Sequence, residues 1–262
     1  MLEQLKGRLI ASCQPVTGGP MDRPDIVAAM ALAALDGGAA GLRIEGLDNV
    51  RAVRAATRAP LIGLLKRDLD DSPVRITPFA TDVADLIAAG ADFVAVDATS
   101  QTRPETVEAL YSAIRAGGAL AMADCATLDD GRRAAALGFD ILGSTMSGYT
   151  GGPVPAEPDL DLVRGLAELG HVTVAEGRYH RPEQAAAAAT AMAEANPAAA
   201  QGAAQAVMEA NPEAAAEVAS AMAEVAPQAA GVIANAAAEA NPEAAAEIAS
   251  AVIDAVTTAA SE

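Results

Sequence analysis

ADFVAVDATSQTRPETVEALYSAIRAGGALAMADC (91–125) is the stretch that decides the fold. Residues 93–98 and 120–125 are apolar runs of strand length, and 104–116 between them carries apolar side chains at helical spacing. Gly117-Gly118 ends the helix, as expected just past a C-cap. A strand, a helix and a second strand in so short a span form a parallel pair joined by a right-handed crossover.

The same alternation extends outward in both directions. Strands are expected at 8–14, 41–46, 61–66, 141–146 and 172–177, with helices such as 25–36, 81–89 and 159–169 between them. Gly37-Gly38 and Gly90 mark further helix exits. Strand–helix units in series predict an α/β fold, a TIM-type (β/α)8 barrel, in preference to an open doubly wound sheet. No GxGxxG follows the first strand, so the dinucleotide fingerprint is missing.

The composition changes at about residue 184. The chain has 262 residues, with 17 Lys and Arg against 35 Asp and Glu, for a net charge of −18. Such an acidic chain is a poor general binder of nucleic acid or of an anionic membrane surface. No apolar run reaches the ~18 residues of a membrane helix, and MLEQLKGRLIAS (1–12) lacks a signal-peptide core. Cys13 and Cys125 make neither a CxxC pair nor a disulfide framework. A cytoplasmic protein with two reduced thiols is therefore expected.

From 185 to 262 the chain has 37 Ala, ten acidic residues and no basic one. Pro182, Pro197, Pro212, Pro227 and Pro242 recur every 15 residues, and EANPEAAAEVASAMA (209–223) nearly repeats as EANPEAAAEIASAVI (239–253). Asn, Pro and Glu in that order start a helix: Asn caps, Pro suits the first position and Glu faces the positive end of the dipole. The reading divides the chain into a barrel domain, 1–184, and an all-α Ala-rich helical tail, 185–262. The tail is either a spacer or oligomerisation element, or low-complexity filler.

In a barrel of this kind chemistry sits at the C-terminal ends of the strands. Those ends carry Ser12-Cys13-Gln14, Arg43 and Glu45, Lys66-Arg67-Asp68, Asp97, Asp124-Cys125, then Ser144, Thr145, Ser147 and Tyr149, and finally Glu176-Gly177-Arg178. Strands 3 and 7 face each other across an eight-place circle. Lys66 and Glu176 can then meet opposite faces of one carbon, one removing a proton and the other returning one. Burial and Arg43 would lower the Lys66 pKa, and nearby cations would stabilise an enolate. The structural alternative is a plain Lys66–Glu176 or Arg43–Asp124 salt-bridge network across the mouth.

These residues lie in stretches that resemble the N-acetylmannosamine-6-phosphate 2-epimerase family of bacterial sialic-acid catabolism. They are SCQP (12–15), GLRIEGLDNVRAVR (41–54), IGLLKRDLDDSPVRITP (62–78), ADFVAVDATS (91–100), LAMADCATLDDG (120–131), ILGSTMSGYT (141–150) and VAEGRYHRPEQA (174–185). The resemblance covers nearly all of 1–185. It implies a (β/α)8 barrel that interconverts N-acetylmannosamine 6-phosphate and N-acetylglucosamine 6-phosphate by proton transfer at C2, with neither metal nor organic cofactor. Lys66 and Glu176 match the proton-transfer pair. Gln14, Arg43 and Asp124 match the residues that hold the sugar and its enolate-like intermediate. Gly177 and Arg178 lie where the seventh loop meets the phosphate, with Tyr149 on the loop before it. Family precedent implies a homodimer.

The resemblance also implies an eighth strand with half of the phosphate cradle, and that strand is missing here. The nearest candidates, GVIANA (231–236) and AVIDAVTT (251–258), lie inside helical repeats. The expectation is a barrel lacking a normal eighth strand, gapped between strands 7 and 1. Its activity would be reduced mainly through binding. Two other readings stand beside it. One is a phosphosugar isomerase or aldolase-type lyase that uses Lys66, and the other a non-catalytic barrel scaffold with a self-associating tail.

Overall fold

The computed structural model describes residues 1–195, 215–225 and 230–259. Seven strands pair in parallel and in chain order: β1 (Ile10–Cys13), β2 (Gly41–Glu45), β3 (Leu61–Leu64), β4 (Phe93–Asp97), β5 (Leu120–Asp124), β6 (Ile141–Gly143) and β7 (Val172–Val174). Helices α1 (Pro24–Asp36), α2 (Leu47–Ala56), α3 (Ala80–Ala89), α4 (Val107–Ala116), α5 (Leu128–Leu137) and α6 (Leu160–Glu168) make the crossovers. The sheet curls into the TIM-like form, with β1 and β7 as its two edges. Both edge strands keep some exposure, whereas β3 and β4 are buried throughout.

The strands alternate between two apolar environments. Leu61, Val94, Val96, Ala121, Ala123 and Leu142 pack outward against helix residues such as Val83, Leu86, Leu110, Ile114 and Leu166. Ile62, Leu64, Phe93, Ala95, Met122 and Ile141 fill the interior with Leu5, which comes from the turn Leu2–Gln4 just before it.

At the floor of the barrel Arg54 donates to the Gly90 carbonyl (2.9 Å), the Ala59 carbonyl (3.1 Å) and Asp92 Oδ2 (2.6 Å). Asp92 Oδ2 also accepts from the Leu61 N–H at 3.0 Å. Gly90 has φ +103, and a Cβ there would lie 2.6 Å from Arg54 Cγ, so glycine serves both the helix exit and this packing.

Each observed strand stops one to three residues short of its expected C-terminal end. The backbone turns away there. Gly46, at φ +92, opens α2, and the Ser147 N–H donates to the Ser144 carbonyl (3.1 Å) just past β6. Helix α4 starts at Val107 and not at 104, because the Thr106 hydroxyl accepts from the Ala109 N–H (3.2 Å) and sets the cap there.

The C-terminal region is helical: α7 (Pro182–Ala195), α8 (Ala215–Val225), α9 (Ala230–Ala240) and α10 (Ala245–Ala259). Asn241 Oδ1 accepts from the Ala244 N–H (3.3 Å), and Pro242 opens the turn that leads into α10. That is the helix start read from the repeat; the starts expected at Pro197, Pro212 and Pro227 lie outside the described residues. Among the described residues there is no eighth strand, and 231–236 and 251–258 are helical. Val218, Met222, Ile233, Ile248 and Val252 form a cluster of their own with Ala189 of α7. No described helix is long and apolar enough to cross a membrane.

Phe93 is wholly buried among interior side chains from neighbouring strands. Phe93→Ala should cost about 3–5 kcal/mol of stability, read as a lowered midpoint in urea unfolding.

Candidate active site at the C-terminal mouth

The strand alternation continues past the apolar interior. One inward step beyond Leu64, Ala95, Met122, Gly143 and Val174 come Lys66, Asp97, Asp124, Thr145 and Glu176. On β2 the inward positions are Arg43 and Glu45, and on β1 Ser12 pairs with Arg43 in register, with Gln14 two residues on. A polar rim thus sits directly on the apolar plug.

Arg43 is its centre. Two of its nitrogens grip Asp124 at 3.1 and 2.8 Å, and both side chains are almost wholly buried. Its Nε lies 3.1 Å from Glu176 Oε1 but off the N–H axis, so this is an ion pair without a hydrogen bond. The Thr145 hydroxyl is 2.8 Å from Asp124 Oδ1 and 3.1 Å from Glu176 Oε2. It has one proton to give. A protonated Glu176 can donate to Thr145 while Thr145 donates to Asp124. Ser144 fixes the Glu176 backbone, its hydroxyl donating to the carbonyl (2.8 Å) and accepting from the N–H (3.1 Å).

Lys66 is held on a hairpin excursion after β3. It bridges Ile76 in antiparallel fashion, flanked by Arg67 N–H to Arg75 carbonyl (2.9 Å) and Thr77 N–H to Leu65 carbonyl (2.7 Å). The Asp97 N–H donates to the Ile76 carbonyl (3.1 Å) and ties the hairpin to β4. Thr77 takes φ +46, a strained value for a β-branched residue. Its Oγ1 accepts from the Leu65 N–H at 3.2 Å. The Lys66 N–H donates to Glu45 Oε1 (3.3 Å). A cavity of about 480 Å³ opens beside these two residues, lined also by Leu47, Asn49 and Leu65.

The electrostatics move the two candidate proton carriers toward each other. Partial burial lowers the Lys66 pKa; Arg43 and Arg75 add to this, and Glu45 and Glu176 oppose it. Burial raises the Glu176 carboxyl, with Asp124 adding to it, while Arg43, Thr145 and Lys66 pull the other way. For Arg43, burial works against the charge, and the carboxylates of Asp124 and Glu176 outweigh it.

The structure thus brings Arg43, Asp124 and Glu176 into one cluster, with Lys66 in electrostatic reach of both Arg43 and Glu176. The salt-bridge network weighed from sequence runs through Arg43 and not through a Lys66–Glu176 pair. Gln14 donates to Ser12 Oγ (2.8 Å). Gly177 and Arg178 turn at φ +95 and +66. Arg178 donates through Nε to the Glu157 carbonyl (2.8 Å) and through Nη1 to the Ser147 carbonyl, and its guanidinium lies 5.8 Å from the exposed Tyr149 ring. Tyr149, Gly177 and Arg178 therefore form a second group on the β6 and β7 exits. Thr145 stands among the strand-exit residues read from sequence but carries no role there; its place two residues after Gly143, on the inward face, is what gives it one. Among the described residues no three His, Cys, Asp or Glu side chains gather as metal ligands.

Residues 27–209 match the family described as "Putative N-acetylmannosamine-6-phosphate epimerase". A protein of Actinobacillus pleuropneumoniae serotype 5b, named "Putative N-acetylmannosamine-6-phosphate 2-epimerase", is 60% identical over 185 residues, covering 71% of this chain and 81% of its own. A protein of Haemophilus influenzae with the same name is 57% identical over 185 residues, with the same coverage. Among solved structures, the N-acetylmannosamine-6-phosphate 2-epimerase of Clostridium perfringens is 38% identical with a TM-score of 0.70, covering 73% of this chain and 85% of that one.

Thr145→Val removes a hydroxyl shared by the buried Asp124 and the half-buried Glu176 and should cost about 1–3 kcal/mol of stability in urea unfolding. It should also push the Glu176 carboxyl further up, seen by NMR titration of the glutamate side-chain carbons.

Proposed function

The chain belongs to the N-acetylmannosamine-6-phosphate epimerase family, and on that premise we propose that it interconverts N-acetylmannosamine 6-phosphate and N-acetylglucosamine 6-phosphate. One observation carries this reading. An amine with a lowered pKa and a carboxyl with a raised one share a mouth whose centre is a buried guanidinium.

In the proposed reaction Lys66 takes the C2 proton on one face, and Glu176, protonated, supplies one on the other. In the reverse direction the roles exchange. Arg43 is the cation beside the enolate-like charge that develops between them. Asp124 keeps the guanidinium in place, and Thr145 accommodates Glu176 in either protonation state. Gln14 and Tyr149 take sugar hydroxyls. The turn at Gly177 and Arg178 takes the phosphate, where a buried cation and turned backbone N–H groups favour an anion. The family's eighth strand is missing among the described residues, so the loss falls on phosphate binding more than on proton transfer. We place the protein in the cytoplasm, where the two buried free cysteines, Cys13 and Cys125, stay reduced. We also propose a homodimer, which light scattering tests.

The experiment is proton exchange at C2, followed by NMR in D2O. Wild type should exchange the C2 proton and form the gluco epimer, and Lys66→Ala should lose at least about 100-fold. A folded wild type with no exchange would sink the reading.

The active enzyme carries one proton between Lys66 and Glu176. Activity therefore falls at low pH, when both are protonated, and at high pH, when neither is. Arg75 lowers the Lys66 pKa. Removing it in Arg75→Ala raises that pKa, so the alkaline limb of kcat/KM should move to higher pH.

A further inference from the structure

An epimerase with two proton carriers does not end a turnover as it began. After one passage Lys66 holds a proton that it lacked and Glu176 lacks one that it held, so a second passage in the same direction needs both to be reset. Lys66 is exposed to solvent, whereas Glu176 is set against the buried Arg43 and Asp124. The charged groups whose fields act on Lys66 are Arg43 and Glu45 of β2, Arg75 of its own hairpin and Glu176 of the β7 exit. Two of these are cations and cannot accept a proton. Glu176 is the opposite carrier. Glu45 remains.

We propose that Glu45 is the proton outlet of Lys66, accepting the proton that Lys66 has drawn from the substrate and passing it to water in the cavity the two residues share. The inference rests on the epimerase reading of Lys66. Three observations carry it. Glu45 is the last residue of β2 and stands on its inward face two positions after Arg43. Its Oε1 accepts from the Lys66 N–H at 3.3 Å, which holds the carboxylate against the base. Both line the same cavity of about 480 Å³. In the step, an Nζ–H bond of the ammonium breaks with its electron pair returning to nitrogen, and the proton bonds to a Glu45 carboxylate oxygen. Water or a buffer base in the cavity then removes it, and Glu176 regains a proton from solvent. The lowered pKa of Lys66 narrows the gap this transfer must cross.

Glu45→Gln keeps an oxygen for the Lys66 N–H and removes the proton acceptor. In dilute buffer its kcat should fall about tenfold with KM within about twofold of wild type. Imidazole at constant pH and ionic strength should restore kcat, and Glu45→Asp should retain more activity than the glutamine variant. Because Glu45 raises the Lys66 pKa, the alkaline limb should move to lower pH, opposite to Arg75→Ala. An unchanged kcat, or a lowered kcat indifferent to imidazole, overturns the proposal while leaving the epimerase reading intact. A readout apart from activity comes from the chain having two lysines, Lys6 and Lys66. With both methylated by 13C-formaldehyde, the Lys66 signal should titrate at lower pH in Glu45→Gln than in wild type. An unmoved titration overturns the proposal even if wild type shows no turnover.

Discussion

The mouth of this barrel depends on the buried pairing of Arg43 with Asp124. Burying two charges is costly, and an ion pair in the interior holds only when its geometry is good and the remaining donors are met. Here the carboxylate is gripped at two nitrogens and further bonded by Thr145. The third guanidinium nitrogen is drawn to Glu176 without a linear hydrogen bond. That contact is the loose end of an otherwise tight network. It leaves Glu176 able to gain or lose a proton without dismantling the pair beneath it.

Lys66 is positioned by other means. Its hairpin is stitched to β4 through the Asp97 N–H and to β2 through the Glu45 carboxylate. The left-handed Thr77 closes the excursion. Backbone strain of this kind persists only where surrounding contacts over-determine it. The proposed base therefore comes from a strained, strapped loop and its proposed partner carboxyl from a strand exit backed by charge.

Much of this was legible in the sequence. The alternation of short apolar runs with helical segments located all seven strands, because a parallel strand buried on both faces has few polar residues within it. Lys66, Arg43, Asp124 and Glu176 stood out as polar residues where such runs end. The strand ends that the apolar runs suggest lie one to three residues too far along. Glu176 still reads as strand continuation, but its backbone N–H turns to the Ser144 hydroxyl and not to a neighbouring strand. Thr145 reads from sequence as one of several polar residues at the sixth strand's exit, and only the pleat shows that it faces inward onto both carboxylates. The hairpin from Leu65 to Thr77 was invisible for a related reason: one antiparallel bridge leaves no periodic signature. In the tail, the Asn-Pro start was readable because capping is local, as at Asn241, whereas the joint packing of Val218, Ile233 and Ile248 is a long-range matter.

The two-faced strands constrain how this sequence can change over evolutionary time. Inward and outward positions alternate strictly, so inserting or deleting one residue inside β4 would exchange Val96 with Asp97. A carboxylate would then face the helices and a valine the mouth. The same holds for Ala123 and Asp124 in β5. Changes of length are thereby confined to the connections and to the chain beyond the last strand. The 15-residue repeats lie in that outer region, where a whole copy can be gained or lost without moving any mouth residue.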